Sequence, residues 1–142
     1  MTQYSKQVLS DPILLRKKLE IYLGSPDSVE TYAKAAEKFF DGEKLVAKST
    51  WSWGAFFLVF LFFTYRKCYA KALVSFIFCL IPFINFLIAI LFACSAKYEV
   101  VSRFVKILDK ENDEILKIAG GVNLIGAIAF LIFMFILFGS MA

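Results

Sequence analysis

A charged first third and three long apolar runs divide this chain. The runs cover residues 51–65, 72–96 and 122–138, and the second and third contain no charged residue. Apolar residues grouped into blocks, rather than spread at the period of a soluble core, are typical of membrane-spanning helices. Hydrophobic residues make up 60% of the chain, against ~45–50% in an average soluble domain. The sequence therefore predicts an all-α integral membrane protein with about three transmembrane helices.

The first run opens with two tryptophans and closes with a cationic aromatic turn, which is the pattern of a segment anchored at membrane interfaces. Its helix would be about 22 Å long, which is short of a hydrocarbon core of ~30 Å. The segment therefore either spans with local thinning of the bilayer or enters and returns. The cations of the turn are expected to contact anionic lipid headgroups. We predict these interface anchors: Trp51, Trp53, Tyr65, Arg66, Lys67, Tyr69 and Lys71.

The second run, Ala72–Ala96, gives the strongest membrane signal. Its Leu, Ile, Val and Phe residues sum to roughly −4.5 to −9 kcal/mol of insertion free energy. Pro82 predicts a kink near its middle, and Asn85 predicts an interhelical hydrogen bond or a functional position. In the third run, Gly126 and Ala129 predict a small-residue face for close helix packing.

The remaining segments are polar or amphipathic. Residues 1–50 are predicted to form a polar helical head, with helices near 12–23 and 26–40 that start at the Asp-Pro and Ser-Pro pairs. The apolar faces of this hairpin pack on each other or on the membrane surface, or they bind a partner protein. Residues 97–118 are predicted to form an amphipathic helical link within the membrane region, 51–142.

The distribution of cations predicts the topology. With three spans and a cytoplasmic N-terminus, four lysines of the late head and five cations of residues 97–118 face the cytoplasm. Only Arg66, Lys67 and Lys71 then lie outside. A re-entrant first segment would instead leave seven cations inside and five outside. The positive-inside rule favours the three-span arrangement.

Several function classes have no sequence support. The chain has no histidine, three isolated cysteines and no Cys-x-x-Cys pair, so we predict no metal site and no cofactor. It has no long basic run for nucleic acid and no phosphate-binding loop, and we expect no enzymatic activity. The favoured prediction is an accessory or scaffold subunit whose partners are membrane lipids and a membrane protein or a second copy of itself. The alternative is an oligomeric pore, channel or holin-like protein.

The stretch Ser52–Tyr69, SWGAFFLVFLFFTYRKCY, resembles the bacterial membrane family called domain of unknown function 2628. Members of that family commonly show a run of the type NWAAFFFGPFWLLYRKMY. A looser resemblance to the family is found at Phe39-Phe40 and at Gly120-Gly121 with Asn123. The resemblance as a whole covers about residues 36–125. The resemblance implies a bacterial inner-membrane protein and brings no activity. Val59 and Phe60 replace the family's Gly-Pro pair, which favours a continuous helix here. The matching residues are Trp53, Ala55, Phe56, Phe57, Tyr65, Arg66, Lys67 and Tyr69.

Overall fold

The computed structural model describes residues 1–79, 81 and 85–139. These residues form an all-helical fold whose one β-type pairing is an isolated bridge between Phe40 and Leu45. The predicted kink at Pro82 lies outside the described residues. The helices are α1 Gln3–Ser10, α2 Pro12–Leu23, α3 Val29–Phe39, α4 Trp53–Phe57, α5 Val59–Tyr65, α6 Tyr69–Cys79, α7 Asn85–Leu108, α8 Asp113–Ala119 and α9 Leu124–Gly139.

The head helices begin and end where their local chemistry predicts. Asp11 caps α2, because its carboxylate accepts hydrogen bonds from the backbone N–H groups of Ile13 and Leu14. Gly24 ends α2 in the left-handed conformation, with φ of 65°. After a 3-10 turn, α3 turns its alanines and aromatic residues inward, so α2 and α3 occupy the ranges of the predicted hairpin.

The head core extends well beyond residue 50. Residues of the second half of α7 and of α8 are buried with those of α1, α2 and α3 in one hydrophobic cluster. Residues 97–119 therefore belong structurally to the head, and we use "the head" for residues 1–50 together with 97–119. The most buried core side chains of the head are Val8, Leu15, Leu19, Leu23, Phe39, Val100, Val101, Phe104 and Leu116.

Asp109, directly after α7, holds the start of the chain. Its carboxylate accepts hydrogen bonds from the Thr2 backbone N–H at 2.8 Å and from the Ser5 hydroxyl at 2.6 Å. Partial burial opposes ionisation of Asp109, but these hydrogen bonds outweigh it and lower the pKa of the carboxyl group. A lowered pKa means that Asp109 stabilises the fold above its ordinary pKa, and that this stabilisation is lost as the pH falls through the lowered value.

The first apolar run is broken rather than continuous. Leu58, with φ of −130° and ψ of 48°, separates α4 from α5 and reverses the chain direction. Before α4, Thr50 donates its backbone N–H to the Cys94 carbonyl oxygen of α7. In α5, Phe63 is fully buried, and its ring centroid lies 5.6 Å from that of Phe92, also in α7. The predicted continuous helix over 51–65 is wrong, because folding back buries Phe63 against α7.

The second apolar run forms two helices instead of one. Lys71 at the start of α6 forms an ion pair with Glu99 of α7, with a nitrogen–oxygen distance of 2.7 Å. Glu99 lies in the second half of α7, so this ion pair requires the chain to reverse direction, and α6 and α7 are antiparallel. Run 72–96 is therefore a hairpin whose two ends both lie at the head.

Helix α9 rises from the same end of the molecule. Its first turn is held by the hydrogen bond from the Asn123 backbone N–H to the Tyr65 carbonyl oxygen, at 2.8 Å. Further along, the Phe130 ring lies 5.4 Å from the rings of Phe60 and Phe76. We call α4, α5, α6, α9 and residues 85–96 of α7 "the apolar layer". All its chain connections to the head lie at one end.

Two stretches are long and apolar enough to cross a membrane by length and composition alone, Asn85–Leu108 and Asp113–Ile136. The C-terminal part of the first lies in the head core, where Val100, Val101 and Phe104 are buried. The second includes the break between α8 and α9. The uninterrupted apolar helix within it is therefore α9, whose 16 residues extend about 24 Å.

The connection between α8 and α9 leaves no room for a side chain at Gly120. A Cβ atom there would overlap the Tyr22 carbonyl oxygen and lie 2.6 Å from Cδ2 of the Tyr22 ring. The next residue, Gly121, has a φ of 73° and donates its N–H to the same Tyr22 carbonyl. We expect Gly120→Ala to lower the free energy of unfolding by about 1–3 kcal/mol through overpacking. Thermal unfolding in detergent measures this loss.

Gly139→Ala is the matched control, since no atom of the described residues lies within 4 Å of a Cβ atom at that position. The control variant should unfold at the wild-type temperature. Equal unfolding temperatures for Gly120→Ala and the wild type would contradict the close contact between Gly120 and Tyr22.

Candidate functional site

The turn between α5 and α6, residues 65–69, is where the predicted anchors meet the head. Lys67 occupies the left-handed region, with φ of 56°, and its conformation reverses the chain. The Lys67 carbonyl oxygen accepts a hydrogen bond from Nη1 of Arg103, while Nη2 of Arg103 donates to the Ala119 carbonyl oxygen at 3.3 Å. One guanidinium therefore joins the turn to α7 and to the end of α8. We call residues 65–69 "the junction turn".

Arg66 extends from the junction turn into the head. Its Nη2 donates to the Ser28 hydroxyl at 3.1 Å, and its guanidinium carbon lies 5.1 Å from the Tyr32 ring centroid and 5.5 Å from that of Tyr65. The rings attract the cation through their negative faces. Nε and Nη1 of Arg66 are buried without a hydrogen-bond partner among the described residues. Arg66 thus serves as a contact between the turn and α3.

Lys67 of the turn and Lys71 at the start of α6 are also bound within the protein. Lys67 Nζ donates to the Ile118 carbonyl oxygen at 3.0 Å, and Lys71 pairs with Glu99. The three-span arrangement places these cations at the opposite end of the helices from the head. In the structure, the contacts of Arg66 and Lys67 instead place the turn directly against the head.

Tyr69 and Asn123 form the polar start of α9. The Asn123 side chain donates to the Tyr69 hydroxyl at 2.9 Å and accepts from the Gly126 backbone N–H at 2.8 Å. A Cβ atom at Gly126 would lie 2.5 Å from this side chain, so Gly126 makes room for the helix cap. Ala129 is exposed. Close helix packing through Gly126 and Ala129 stays a prediction.

The two tryptophans lie at the other connection between the head and the apolar layer. Trp51 is 37% and Trp53 64% exposed, and their rings pack edge to face with centroids 5.3 Å apart. Trp53 also stacks on Phe57 at 5.9 Å. Asn85, which begins α7, is exposed, and its side chain forms no hydrogen bond with the described residues. The structure brings Tyr65 to Lys71 together around the junction turn and leaves the tryptophans as a separate exposed cluster.

Cys68 lies in the middle of the junction turn, 5% exposed. Burial raises the pKa of its thiol, and the nearby Arg103 only partly opposes this effect. The thiol therefore stays protonated at neutral pH and is a poor nucleophile. Within the described ranges, no group of three or more Cys, Asp or Glu side chains is arranged to hold a metal ion.

Two neighbouring apolar grooves lie between α5 and α9. The first, of about 280 Å³, ends at Tyr65, and the second, of about 270 Å³, continues along Leu61 and Leu131. Apart from the Tyr65 hydroxyl, the side chains that line these grooves carry no polar group. These surfaces can bind only apolar groups, such as acyl chains or the side chains of another helix.

No protein-family model matches the chain, and neither the curated proteins nor the solved structures include a match. The resemblance to domain of unknown function 2628 therefore stays a prediction from the residues. In the structure, two parts of that resemblance contact each other, because Asn123 binds both Tyr65 and Tyr69 of the junction turn.

Sequence reasoning missed Arg103, Ser28 and Asn123 as parts of this site. Arg103 carried a usable signal, since it is the only charge between Val100 and Val105 in an otherwise apolar helical segment. A charge in such a position requires hydrogen-bond acceptors, and the junction turn supplies one. Asn123 was noted only as part of the loose family resemblance, and Ser28 carried no signal, because the partners of both residues are distant in sequence.

Arg103 generates a direct prediction. Arg103→Leu removes the donors for the Lys67 and Ala119 carbonyl oxygens, and we expect a loss of about 2–4 kcal/mol in unfolding free energy. Arg103→Lys should recover only part of this loss, because one ammonium cannot reproduce the guanidinium fork. Thermal unfolding in detergent compares both variants with Lys106→Leu, a change at an exposed cation of the same helix. Equal stability of Arg103→Leu and Lys106→Leu would contradict the role of Arg103.

Proposed function

We propose that this chain is a non-enzymatic membrane protein of the bacterial inner membrane. Its head lies on the cytoplasmic side, and its apolar layer inserts into the bilayer from that side. It acts as an accessory or scaffold subunit that binds a membrane partner or a second copy of itself. The family resemblance and the distribution of charge support the compartment, and the exposed apolar surface supports both insertion and association.

The observation that carries this proposal is the amount of apolar surface left uncovered on the apolar layer. Soluble monomers rarely expose contiguous apolar patches larger than a few hundred Å². Here most of the exposed large apolar side chains lie in the apolar layer. At least half of the surface is exposed in Trp53, Phe57, Leu58, Leu73, Ile77, Phe86, Leu87, Leu91, Leu124, Ile125, Ile128, Ile132, Phe133, Phe135 and Ile136.

The dimensions favour insertion from one side. Helix α6 extends about 16 Å and α9 about 24 Å at 1.5 Å per residue, and both values are below a hydrocarbon core of ~30 Å. All 16 lysines and arginines lie between Lys6 and Lys117, in the head or at its boundary with the layer. One-sided insertion therefore places every cation on the cytoplasmic side, in accord with the positive-inside rule.

One-sided insertion predicts the labelling of two exposed positions. Ala70→Cys lies next to the junction turn and Lys110→Cys lies in the head, and both positions are exposed. In a chain whose other cysteines are replaced by alanine, a membrane-impermeant thiol reagent should label both variants from the cytoplasmic side and neither from outside. Inverted and right-side-out vesicles provide the two orientations.

Labelling of Ala70→Cys from the side opposite to Lys110→Cys would restore the three-span arrangement and overturn one-sided insertion. Release of the whole protein from membranes by alkaline carbonate would overturn insertion altogether. The two outcomes are distinguishable, because the second does not depend on the cysteine position.

The scaffold role predicts stable association through the outer face of α9. Ile125 is 83% and Phe135 72% exposed, so neither side chain is needed for packing within the chain. Native mass analysis of a mild detergent extract should show a stoichiometric partner or a homo-oligomer. Replacing both residues by alanine should weaken that association by at least ~10-fold, or about 1.4 kcal/mol.

Ile13→Ala is the control for this experiment, because Ile13 is 81% exposed on the head and lies outside the proposed face. A wild-type protein that runs as a lone monomer would contradict the scaffold role. Ion flux through liposomes that contain the purified protein alone would replace it with the pore function.

A further inference from the structure

A basic cleft lies where the end of the head linker, near Thr50, meets α3 and α7. It has a volume of about 290 Å³, and none of its lining residues is acidic. It is separate from the junction turn. The lining residues are Thr31, Lys34, Ala35, Lys38, Thr50 and Lys97.

The three lysines of the cleft keep most of their positive charge uncompensated. Lys34 lies 3.7 Å from a carboxylate oxygen of Glu30, but Arg16 already binds both oxygens of that carboxylate. Lys38 donates to the Ser49 carbonyl oxygen, which is neutral. Lys97 forms no ion pair within the described residues. The cleft therefore carries a net positive charge, which attracts an anion.

Thr50 also lines the cleft. Its backbone N–H is bound by the Cys94 carbonyl oxygen and its Oγ1 is buried, so the charged groups that the cleft offers to a ligand are those of the three lysines. An anion with several acceptor oxygens can bind neighbouring ammonium groups together, and a phosphate group has this chemistry.

The position of the cleft indicates where such a phosphate comes from. Thr50 directly precedes Trp51, and Lys97 directly follows the uncharged part of α7. In the inserted protein of the preceding section, on which this step depends, this level is the layer of lipid headgroups. We propose that the cleft of Lys34, Lys38, Lys97 and Thr50 is a binding site for a phosphate group, supplied by the headgroup of an anionic phospholipid.

This assignment changes which cations bind lipid. Arg66, Lys67 and Lys71 use their charged groups for contacts within the chain and hold the junction turn to the head and to α7. The cations available to headgroups at this boundary are instead the lysines of the cleft, two of which come from the head hairpin.

The test measures ligand binding to the full chain in a neutral detergent. The ligands are short-chain phosphatidylglycerol, short-chain diacylglycerol without phosphate, and inorganic phosphate. We expect phosphatidylglycerol to raise the unfolding temperature and the diacylglycerol to leave it unchanged. The triple variant K34Q/K38Q/K97Q should bind phosphatidylglycerol roughly 100-fold more weakly, since each lysine contributes about a 5-fold factor.

The matched control is K17Q/K106Q/K110Q, which removes three exposed charges elsewhere in the head and should bind as the wild type does. If the triple cleft variant does not fold, the single variant Lys97→Gln is tested in its place. We expect it to bind phosphatidylglycerol about 5-fold more weakly than the wild type does. Unchanged binding by the cleft variants, or an equal loss in the control, would overturn the site. Inorganic phosphate that binds as tightly as the lipid would support the phosphate site and overturn its assignment to lipid. Because these assays are done in detergent, they can succeed even where the vesicle labelling rejects insertion.

Discussion

The fold depends on the return of the junction turn to the head. Arg103 holds the Lys67 carbonyl on one side and the Ala119 carbonyl on the other. The Lys67 carbonyl follows the first apolar segment, and the Ala119 carbonyl precedes the last one. The single guanidinium of Arg103 therefore fixes the positions of both segments at the boundary with the head. The pair between Lys71 and Glu99 fixes the third entry point. Every apolar segment is thereby connected to the same end of the molecule.

That arrangement joins two parts with opposite solvent preferences into one packed unit. The hydrophobic cluster is continuous from the head helices through Phe104 to Phe63 and Ala72 in the apolar layer. The head is therefore more than a tethered domain, since α7 contributes its uncharged half to the layer and its second half to the head core.

The same geometry divides the cations into two groups with different roles. Those of the junction turn satisfy carbonyl, carboxylate and aromatic partners within the protein, and their loss would be a loss of structure. Those around Thr50 face an open cleft at the boundary, where charge remains available. The exposed face of α9 and the apolar grooves beside α5 complete a surface that is apolar along its length and basic at its edge.

The sequence by itself determined the helical content, the head hairpin from its caps at Asp11 and Gly24, and the uncharged segments, because these follow from local propensity and composition. Only the tertiary structure decided the direction of the apolar segments. Length and hydropathy are the same for a helix that crosses a membrane and for a hairpin that turns back within it. The difference lies in contacts between residues distant in sequence, such as Arg103 with Lys67 and Phe63 with Phe92. The two ends of the Trp51–Lys71 stretch lie at the same end of the molecule, and no local pattern in that stretch specifies the packing of Phe63 against Phe92 that accompanies this fold-back.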